Sequence, residues 1–585
     1  MNGSRGSHTR SEMEMKNGFR IPMFALLIPL IFSAVMGQWS PDSLQNLAIC
    51  DLTGEQVLPK MVATSDGGCF ITWFDSRSGS YSLYIQRLDS LGNELLAEDG
   101  MLVSDNPQQS WLVDYDLGVD SGDNAVVAFS DIRYTGDLDV TAYRIGSDGS
   151  FLWGADGICL SDTSSEWFEP APRVAVTAMD NSVVCWGRSS GDDHELVFQK
   201  ISSAGDKIWG DNGIIWTSGD SDLSGPAAVP AGQDSVVAMW KSSTGNFPAQ
   251  VTHLYTQKLD VSGDMAWGDT YILIYDGGAI TPWNEPELIS DGQGGAVYSW
   301  YDAPSLSDFN VWVQRMDASG TMLFPMNGAQ ASTNSSDRLH MNPSAAYYPS
   351  GDMTFAFWVE TNDNQDMFGV CGQRFSSTGE REWGDSGIQL VPMGSGQVSF
   401  VRTMDQGGGL YVGYLIGSAG SALRAIRLGY DGAVEWGPVT LSAASLGGKD
   451  DLVDCSGQGG SAVYSWTDYR NDYGVYAQNV NSDGSLGPST GLEEETGRLT
   501  VTLEPARPNP FAGHTEISFI ISDDGPVRLS VYDMTGRLVM ELADEAMQKG
   551  RHTVRLHAGE LAPGVYLYRL GCGGMEAAGS CLLLD

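Results

Sequence analysis

The chain has 585 residues and a mass of 62.8 kDa, which is too long for one ordinary compact domain unless a repeat architecture absorbs the length. Its 74 acidic and 32 basic residues give a formal net charge of -42, which argues against nucleic acid as a partner. The 72 glycines and 17 tryptophans favour short strands joined by tight turns, so the composition predicts an all-β protein.

Residues 1–37 are predicted to be a secretory signal peptide. Lys16 and Arg20 precede an apolar run from Ile21 to Met36, and the small residue Gly37 follows it. The run is shorter than the roughly 20 residues that a spanning helix needs, so no transmembrane span is expected in the mature chain. We therefore expect a protein that is secreted or held at the outer cell surface.

Residues 38–488 contain about eight repeats of about 56 residues. An aromatic residue closes one apolar run in each repeat, and these anchor aromatics are Trp73, Phe129, Trp186, Trp240, Trp300, Trp358, Tyr414 and Trp466. A second position, usually Gln, ends the next run at Gln86, Tyr143, Gln199, Gln257, Gln314, Gln373, Ile426 and Gln478. A Gly follows six residues later every time, at Gly92, Gly149, Gly205, Gly263, Gly320, Gly379, Gly432 and Gly484. The fixed interval predicts the same tight hairpin in every repeat.

Each repeat holds four short strand-like runs, and such units are typical of β-propeller blades. We predict an eight-bladed propeller, with seven blades as the alternative if the weak repeat around Tyr414 is displaced. Tandem sandwiches rank second, because they need about 90 residues per copy. The last repeat lacks its fourth run, so we expect residues 39–50 to pair beside 475–480 and close the ring.

Several anchor aromatics are followed two residues later by Asp and two residues after that by Arg. The positions are Asp75 and Arg77, Asp131 and Arg133, and Asp468 and Arg470, while Asp302 lacks its Arg. One interpretation is a ring of carboxylates at the channel mouth that binds a cation or a sugar. The other is inter-blade ion pairing and turn hydrogen bonding, and the recurrence favours it, because a catalytic residue is normally singular.

The sequence predicts no catalytic residue, no metal site and no cofactor beyond a weak Ca²⁺ affinity of acidic loops. Of the eight cysteines, Cys69, Cys159 and Cys185 lie in strand-like runs and are expected to be small core residues. Cys572 and Cys581 flank the turn-like stretch GGMEAAGS, which indicates a cross-hairpin disulfide.

After a linker at residues 489–498, a different pattern covers residues 499–585. Roughly seven short alternating runs predict a small Ig-like β-sandwich. The stretch from ARPNPF to GVYLYRL resembles the type A C-terminal sorting domain of the type IX (Por) secretion system, and it is similar to the FlgD-like Ig fold. The matching positions are Asn509, Pro510, Phe511, Tyr532, Gly536, Leu561, Gly564 and Tyr566.

This resemblance implies export across the outer membrane of a Gram-negative bacterium, with the type IX secretion machinery as partner. Members of this family usually end in a basic residue beside a short apolar strand, whereas this chain ends SCLLLD. That departure leaves open whether the domain is cleaved or anchored.

For the propeller we predict binding of a protein or glycan ligand without catalysis. The connections between second and third strands vary most in length, and variable loops gathered on one face of a scaffold usually carry recognition. An extracellular propeller glycosidase or lyase is the alternative function, and a structural adhesin is a further one.

Overall fold

The computed structural model describes residues 39–584 apart from residues 107–113, 134–137, 162–166, 247–248, 335–337, 418–419, 489–500, 504–505, 522–524, 534–536, 560 and 573–574. The expected signal peptide lies outside the described residues. The chain divides into two compact units, Met1–Ser489 and Thr490–Asp585. In the described part, helix is limited to three 3₁₀ turns at Pro349–Gly351, Ala444–Leu446 and Gln458–Gly460. None of the helices in this part is long and apolar enough to cross a membrane.

The first unit contains eight antiparallel sheets of four strands each, arranged as propeller blades. Strand β1 (Leu47–Cys50) precedes blade 1, which consists of β2 (Gln56–Ala63), β3 (Cys69–Asp75), β4 (Ser82–Leu88) and β5 (Met101–Ser104). Blade 2 consists of β6 (Asp116–Val119), β7 (Ala125–Asp131), β8 (Asp139–Ile145) and β9 (Ile158–Cys159). Blade 3 consists of β10 (Arg173–Val176), β11 (Ser182–Ser190), β12 (Asp193–Ile201) and β13 (Ile214–Thr217). Blade 4 consists of β14 (Asp222–Pro230), β15 (Val236–Thr244), β16 (Val251–Leu259) and β17 (Ile272–Tyr275).

The second half of the ring repeats this plan. Blade 5 consists of β18 (Glu287–Ser290), β19 (Ala296–Ser305), β20 (Asp308–Met316) and β21 (Ala329–Gln330). Blade 6 consists of β22 (Arg338–Tyr348), β23 (Met353–Asn362), β24 (Phe368–Phe375) and β25 (Ile388–Gly394). Blade 7 consists of β26 (Gln397–Gln406), β27 (Gly409–Gly417), β28 (Ser421–Leu428) and β29 (Val434–Ser442). Blade 8 consists of β30 (Lys449–Ser456), β31 (Ala462–Asp468), β32 (Gly474–Val480) and the N-terminal strand β1.

The count of eight confirms the predicted eight-bladed propeller, and the seven-bladed alternative is wrong. The repeat around Tyr414 forms the complete blade 7. The second strands of the blades are the most apolar, and β3, β7 and β31 are buried along their whole length. Each of the eight anchor aromatics is at most 1% exposed, because it is packed between two sheets.

The ring closes as the sequence predicts. Strand β1 pairs antiparallel with β32, with Leu47 opposite Ala477 and Cys50 opposite Val475. The Gln478 side chain donates from Nε2 to the backbone oxygen of Ser40 at 2.9 Å, which holds the segment before β1 against blade 8. The N-terminal strand therefore supplies the outer strand that blade 8 lacks.

The hairpin between third and fourth strands forms a contact with the next blade. All eight hairpin glycines have positive φ, between 81° and 98°. In seven cases an aromatic ring from the preceding blade lies where a Cβ would stand, as with Trp267 on Gly320 and Trp39 on Gly92. In five of these contacts the indole N–H also donates to the carbonyl two residues before the glycine: Trp39 to Ser90, Trp153 to Ser203, Trp209 to Val261, Trp267 to Ala318 and Trp436 to Ser482. We call each contact a blade latch.

The second unit is a seven-stranded β-sandwich. One sheet contains β33 (Val501–Leu503), β34 (His514–Ile521) and β37 (Gly550–His557). The other contains β36 (Leu538–Met547), β35 (Gly525–Asp533), β38 (Gly564–Cys572) and β39 (Met575–Leu583). Both sheets contribute to one buried cluster, which includes Phe519 and Leu556 from the first sheet and Leu529 and Tyr568 from the second.

Candidate functional site at the mouth of the propeller channel

The first strands of the blades line the axis of the ring. Consecutive first strands contact one another all round it, including β30 of blade 8 with β2 of blade 1. Because each blade is an antiparallel meander, its first strand begins at the face that carries the connection between second and third strands. Side chains at the start of the first strands therefore lie at the channel mouth on that face.

Charged side chains from three blades meet at this mouth. The Asp114 carboxylate lies 2.8 Å from Lys60 Nζ and 2.8 Å from Arg173 Nη2, so it joins blades 1, 2 and 3. Burial opposes ionisation of Asp114, but the two cations outweigh burial and lower its pKa to about 2. Asp114 is therefore ionised at neutral pH.

Asp116, two residues along the same strand, behaves in the opposite way. Burial raises the pKa of Asp116, and the Arg173 cation offsets this only in part. Its Oδ2 accepts a hydrogen bond from the Val174 backbone N–H at 2.9 Å. Two neighbouring carboxyl groups thus have pKa values displaced in opposite directions.

A second charged group lies further round the channel. Glu287 Oε2 accepts the Ala345 backbone N–H at 2.6 Å, and burial raises the pKa of Glu287. Burial also raises the pKa of Asp454 to about 6, although Arg402 opposes this. The channel wall therefore combines cations with carboxyl groups, and burial raises the pKa of three of these carboxyl groups, Asp116, Glu287 and Asp454.

A cleft of about 440 Å³ opens between blades 3 and 4 at this mouth. Its charged and polar lining residues are Asp114, Arg173, Arg188, Ser189, His194, Ser224 and Glu285. Its apolar lining residues include Phe168, Pro170, Leu223, Pro226 and Pro286. The cleft is large enough for one or two sugar rings.

The charged groups of the cleft are held in fixed positions. Arg188 donates from both Nε and Nη2 to Glu195 Oε2 at 2.8 and 2.7 Å, and its guanidinium lies 4.5 Å from the centre of the Trp167 ring. Lys241 Nζ lies 3.1 Å from Glu285 Oε1. Such pairs present oriented donors and acceptors without reorganisation of the site.

Two exposed aromatic rings belong to chain segments that contribute residues to the cleft lining. The Phe168 side chain is 50% exposed, and its backbone pairs with Ser189 in blade 3. Trp283 is 61% exposed, lies two residues before Glu285, and is hydrogen-bonded to Tyr301.

The Asp–Arg pairs found in the sequence lie inside the blades. Asp75 and Asp131 are each 0% exposed. Asp75 accepts hydrogen bonds from Trp73 Nε1 at 3.0 Å and from Arg77 Nη2 at 2.6 Å. Arg133 contacts Asp131 with Nε and Nη2, at 2.7 and 2.5 Å. No surface of either carboxylate is left for a ligand.

Asp468 repeats this arrangement at the ring closure. It accepts hydrogen bonds from Trp466 Nε1 at 2.8 Å and from Arg470 Nε at 2.9 Å, and Arg470 also reaches Asn46 in the segment before β1. Asp302, which has no Arg, accepts instead from Tyr275 and Asn310. These contacts favour the structural interpretation over a cation-binding or sugar-binding ring.

The recurring Gln is also structural. Gln199 donates from Nε2 to the Gly210 oxygen at 2.6 Å and accepts from the backbone N–H groups of Lys200 and Trp209. Gln257, Gln314 and Gln373 make the corresponding bonds. The side chain fixes the connection that carries the latch aromatic.

Sequence reasoning missed the charged mouth. A signal was present beside the prolines that open first strands, where Arg173 follows Pro172 and Glu285 and Glu287 flank Pro286. These charges occur in single repeats, so they differ from the repeating pattern. In the described residues, no cluster of three or more His, Cys, Asp or Glu side chains could hold a metal ion.

The expected disulfide between Cys572 and Cys581 is wrong. In the hairpin of β38 and β39, Cys572 lies opposite Met575 and Cys581 lies opposite Tyr566. The offset of six residues separates the two Cα atoms by roughly 20 Å, whereas a disulfide spans less than about 7 Å. Cys581 is a buried free thiol.

The motif residues of the C-terminal sandwich fasten its edges. Asn509 donates from Nδ2 to the Ser580 oxygen and accepts the Leu582 N–H, while Phe511 is buried and bonds to the backbone of Leu582. Pro510 lies between these two residues, Tyr532 lies on β35, and Gly564 begins β38. Leu561 packs against the core, and the Tyr566 hydroxyl donates to the Ala562 oxygen. Gly536 lies outside the described residues.

Residues 507–577 match the family described as the secretion system C-terminal sorting domain. This segment is a type IX sorting domain. A sorting domain implies an interaction with the secretion machinery and indicates export to the cell surface or secretion. The match covers the sandwich and does not extend to the propeller.

A search of curated proteins finds no match. Among solved structures, a fungal alcohol oxidase in complex with copper has 11% identity and a TM-score of 0.36, covering 81% of this chain and 97% of that one. An ulvan lyase from a new polysaccharide lyase family has 9% identity and a TM-score of 0.40, covering 76% and 97%. The endo-arabinase from Bacteroides thetaiotaomicron has 12% identity and a TM-score of 0.26, covering 44% and 93%. Likeness at this level carries no argument about the chemistry of the propeller.

Proposed function

We propose that the exported propeller binds a carbohydrate chain in the cleft between blades 3 and 4. The observation that carries this proposal is the half-exposed Phe168 ring in the lining of a cleft with fixed charged groups, together with the exposed Trp283 ring two residues before Glu285 of the same lining. A sugar ring has an apolar face that stacks on an aromatic side chain. Its hydroxyl groups both donate and accept, which suits an array of guanidinium and carboxylate groups.

The charge of the site favours a neutral glycan over an acidic one. Lys60, Arg173 and Lys241 are each already in an ion pair with Asp114 or Glu285. The net charge of -42 also repels a polyanion at low ionic strength.

Binding of the full exported chain to a panel of neutral and acidic oligosaccharides tests the proposal. We expect Phe168→Ala and Trp283→Ala each to weaken binding about tenfold, since each removes an aromatic contact of about 1.4 kcal/mol. Leu306→Ala is the matched control, because Leu306 is 88% exposed in the hairpin between second and third strands of blade 5 and lies outside the cleft. Equal loss in all three variants, or in none, would contradict the proposal.

Filling the cleft gives a second test. Gly187 lines the cleft, and a Cβ built there has no heavy atom closer than 3.7 Å. Gly187→Leu is expected to abolish binding while leaving the thermal midpoint nearly unchanged. Gly219→Leu is the control, because a Cβ at Gly219 meets no atom within 4 Å.

Glycan cleavage is the second candidate function, and one observation favours it. Asp114 has a lowered pKa and Asp116 a raised one, which is the division of roles between an ionised carboxylate and a general acid in glycoside hydrolysis. We expect Asp116→Asn to remove any release of reducing ends from a bound polysaccharide while binding persists. If the wild-type chain binds a glycan and releases no product from it, the protein is a binding protein only.

The first 37 residues are proposed to direct passage across the inner membrane before the sorting domain acts. Their basic start, apolar run and small terminal residue support this. The N-terminal sequence of the exported protein tests the proposal, and we expect it to begin at or near Gln38. An intact N-terminus on the exported protein would contradict it.

A further inference from the structure

The interface between blade 8 and blade 1, called the seam below, contains two buried cysteines. They come from the first and the last repeat of the propeller. Cys69 begins β3 of blade 1, and Cys455 lies near the end of β30 in blade 8. They are 1% and 9% exposed and belong to one apolar cluster with Ile71 and Val463. Both are free thiols in the structure, and the Cys69 thiol is near enough to raise the pKa of Cys455.

The backbones approach closely at this seam. A Cβ built on Gly67, two residues before Cys69, would lie 2.7 Å from Gln458 Cβ and 3.1 Å from its Cα. Gln458 follows Cys455 by three residues, and β2 contacts β30 beside this point. The segments that carry Cys69 and Cys455 are therefore in direct contact, and a disulfide requires a Cα–Cα separation of at most about 7 Å.

We propose that Cys69 and Cys455 form a disulfide bond in the exported protein. The bond would join blades 1 and 8 covalently, beside the noncovalent closure that β1 provides. The cysteines are 386 positions apart, so the linkage would enclose most of the propeller. The compartments outside the inner membrane, to which a sorting domain directs its protein, favour disulfides.

The reaction requires a disulfide as oxidant, and a thiol–disulfide oxidoreductase of the periplasm supplies one. One cysteine thiolate attacks the oxidant's S–S bond and releases one of its sulfurs as a thiol. The second cysteine then attacks the mixed disulfide and releases the other. The protein loses two protons and two electrons, one S–S bond forms, and the oxidant's S–S bond is reduced to two thiols.

Closure of the interface between blades 8 and 1 determines when the disulfide forms. The neighbouring Cys69 thiol and burial raise the pKa of Cys455 well above its ordinary value, so the thiolate is scarce once the ring has closed. We therefore expect oxidation before the seam closes, and slow oxidation of protein that has folded reduced.

A third cysteine of the same cluster, Cys50, is the alternative disulfide partner for Cys69. Cys50 Sγ lies 3.0 Å from Arg77 Nη2 and 3.7 Å from Asp75 Oδ2, so these two side chains hold its thiol. We therefore expect Cys50 to remain a free thiol and Cys69 to be oxidised, although both lie in the same cluster.

The test is mass spectrometry of the full exported protein, alkylated in denaturant without reductant and then digested. The proposal predicts one linked pair of peptides that contain Cys69 and Cys455. It is overturned if both cysteines are alkylated, or if Cys69 is linked to Cys50. This readout needs no variant, so it does not depend on a mutant that folds.

Thermal unfolding gives a second readout. The double variant Cys69→Ser, Cys455→Ser is expected to lower the midpoint of the oxidised protein by about 5 °C, because a long loop loses its constraint in the unfolded state. Cys185→Ser, which changes a buried cysteine of blade 3, is the control and is expected to retain the linked peptides. If reductant lowers the midpoint of the double variant as much as that of the wild type, the proposal is overturned.

Discussion

Fully buried carboxylates recur in the blades, and each depends on its nearest donors. Asp131 is covered by the fork of Arg133, two residues along the chain. Asp302 has no such cation, and burial raises its pKa, with Tyr275 and Asn310 as the donors that oppose the shift. The same backbone position thus holds an ion pair in one blade and a carboxyl with neutral partners in another.

Removal of the cation from one pair is expected to be costly. Arg133→Leu leaves the Asp131 carboxylate buried without its partner, which costs about 3 kcal/mol of the free energy of unfolding. The double variant Asp131→Asn, Arg133→Leu is expected to recover most of that loss, because no charge remains to be buried. Urea denaturation measures both, and equal losses in the two variants would contradict the argument.

Asp454 gives a pH dependence of known sign. Its folded-state pKa is raised by burial to about 6, so the folded state holds a proton that the unfolded state releases above about pH 4. Stability from this group is present below about pH 4 and is lost as the pH rises to 6. Asp454→Asn is expected to be more stable than the wild type at pH 7 by about 3 kcal/mol, and to lose less stability between pH 4 and 6. Denaturant melts at several pH values test this, and parallel pH profiles for the two proteins would refute it.

At the scale of the element, the blade latch links the separate sheets of neighbouring blades. Each latch joins a hairpin glycine with positive φ to an aromatic ring of the preceding blade. Blade 1 is the exception, because Leu96 and Met101 occupy the place of the ring beside Gly149. The glycine is required twice over, by its backbone conformation and by the ring that packs on it.

Substitutions at two glycines, Gly210 and Gly320, measure the effect of backbone conformation and the effect of ring packing separately. At Gly320 a Cβ would lie 2.6 Å from Trp267 Cγ, whereas at Gly210, which also has positive φ, it would meet no atom within 4 Å. Gly210→Ala is expected to cost about 1 kcal/mol from backbone strain alone. Gly320→Ala is expected to cost about 3 kcal/mol, because the ring must also move. Similar midpoints in chemical denaturation would show that the latch contact contributes little.

The repeat made most of the propeller predictable from the sequence. A position fixed by local geometry, such as the hairpin glycine Gly320, recurs in every repeat and can be found by alignment of the chain with itself. The cleft could not be found that way, because Asp114 and Arg173 each occur once and become neighbours only through the ring. The Cys572 prediction failed because the strand register pairs Cys572 with Met575 and places Cys581 opposite Tyr566, six residues further along the hairpin.

At the scale of the whole molecule, the two ends of the propeller depend on each other. Deletion of residues 39–50 removes β1 and the Trp39 latch, and it leaves β32 as an unpaired edge. We expect this variant to aggregate or to unfold at least 10 °C lower in calorimetry. Trp39→Phe, which keeps the ring and loses only the hydrogen bond to Ser90, is the matched variant and is expected to cost about 1 kcal/mol. A deletion variant as stable as the wild type would contradict this role of β1.

The sorting domain predicts that export of the propeller depends on residues 499–585. Deletion of residues 499–585 is expected to leave the propeller in the periplasm, where cell fractionation and immunodetection would locate it. Phe511→Asp, which places a charge in the buried position that joins the start of the sandwich to β39, is expected to reproduce the export defect by unfolding the domain. Normal secretion of the deleted protein would refute the sorting role.

The pairing of β1 with β32 also fixes a delay in synthesis. About 430 residues separate Leu47 from Ala477, and at 5–20 residues per second a ribosome needs roughly 20 to 90 seconds to make them. Throughout that interval the first strand has been made, while its partner has not. The strand has only four residues, which leaves few backbone groups free to pair with another chain while β1 is unpaired. A short first strand therefore lowers the risk of aggregation during the long interval before its partner strand is made.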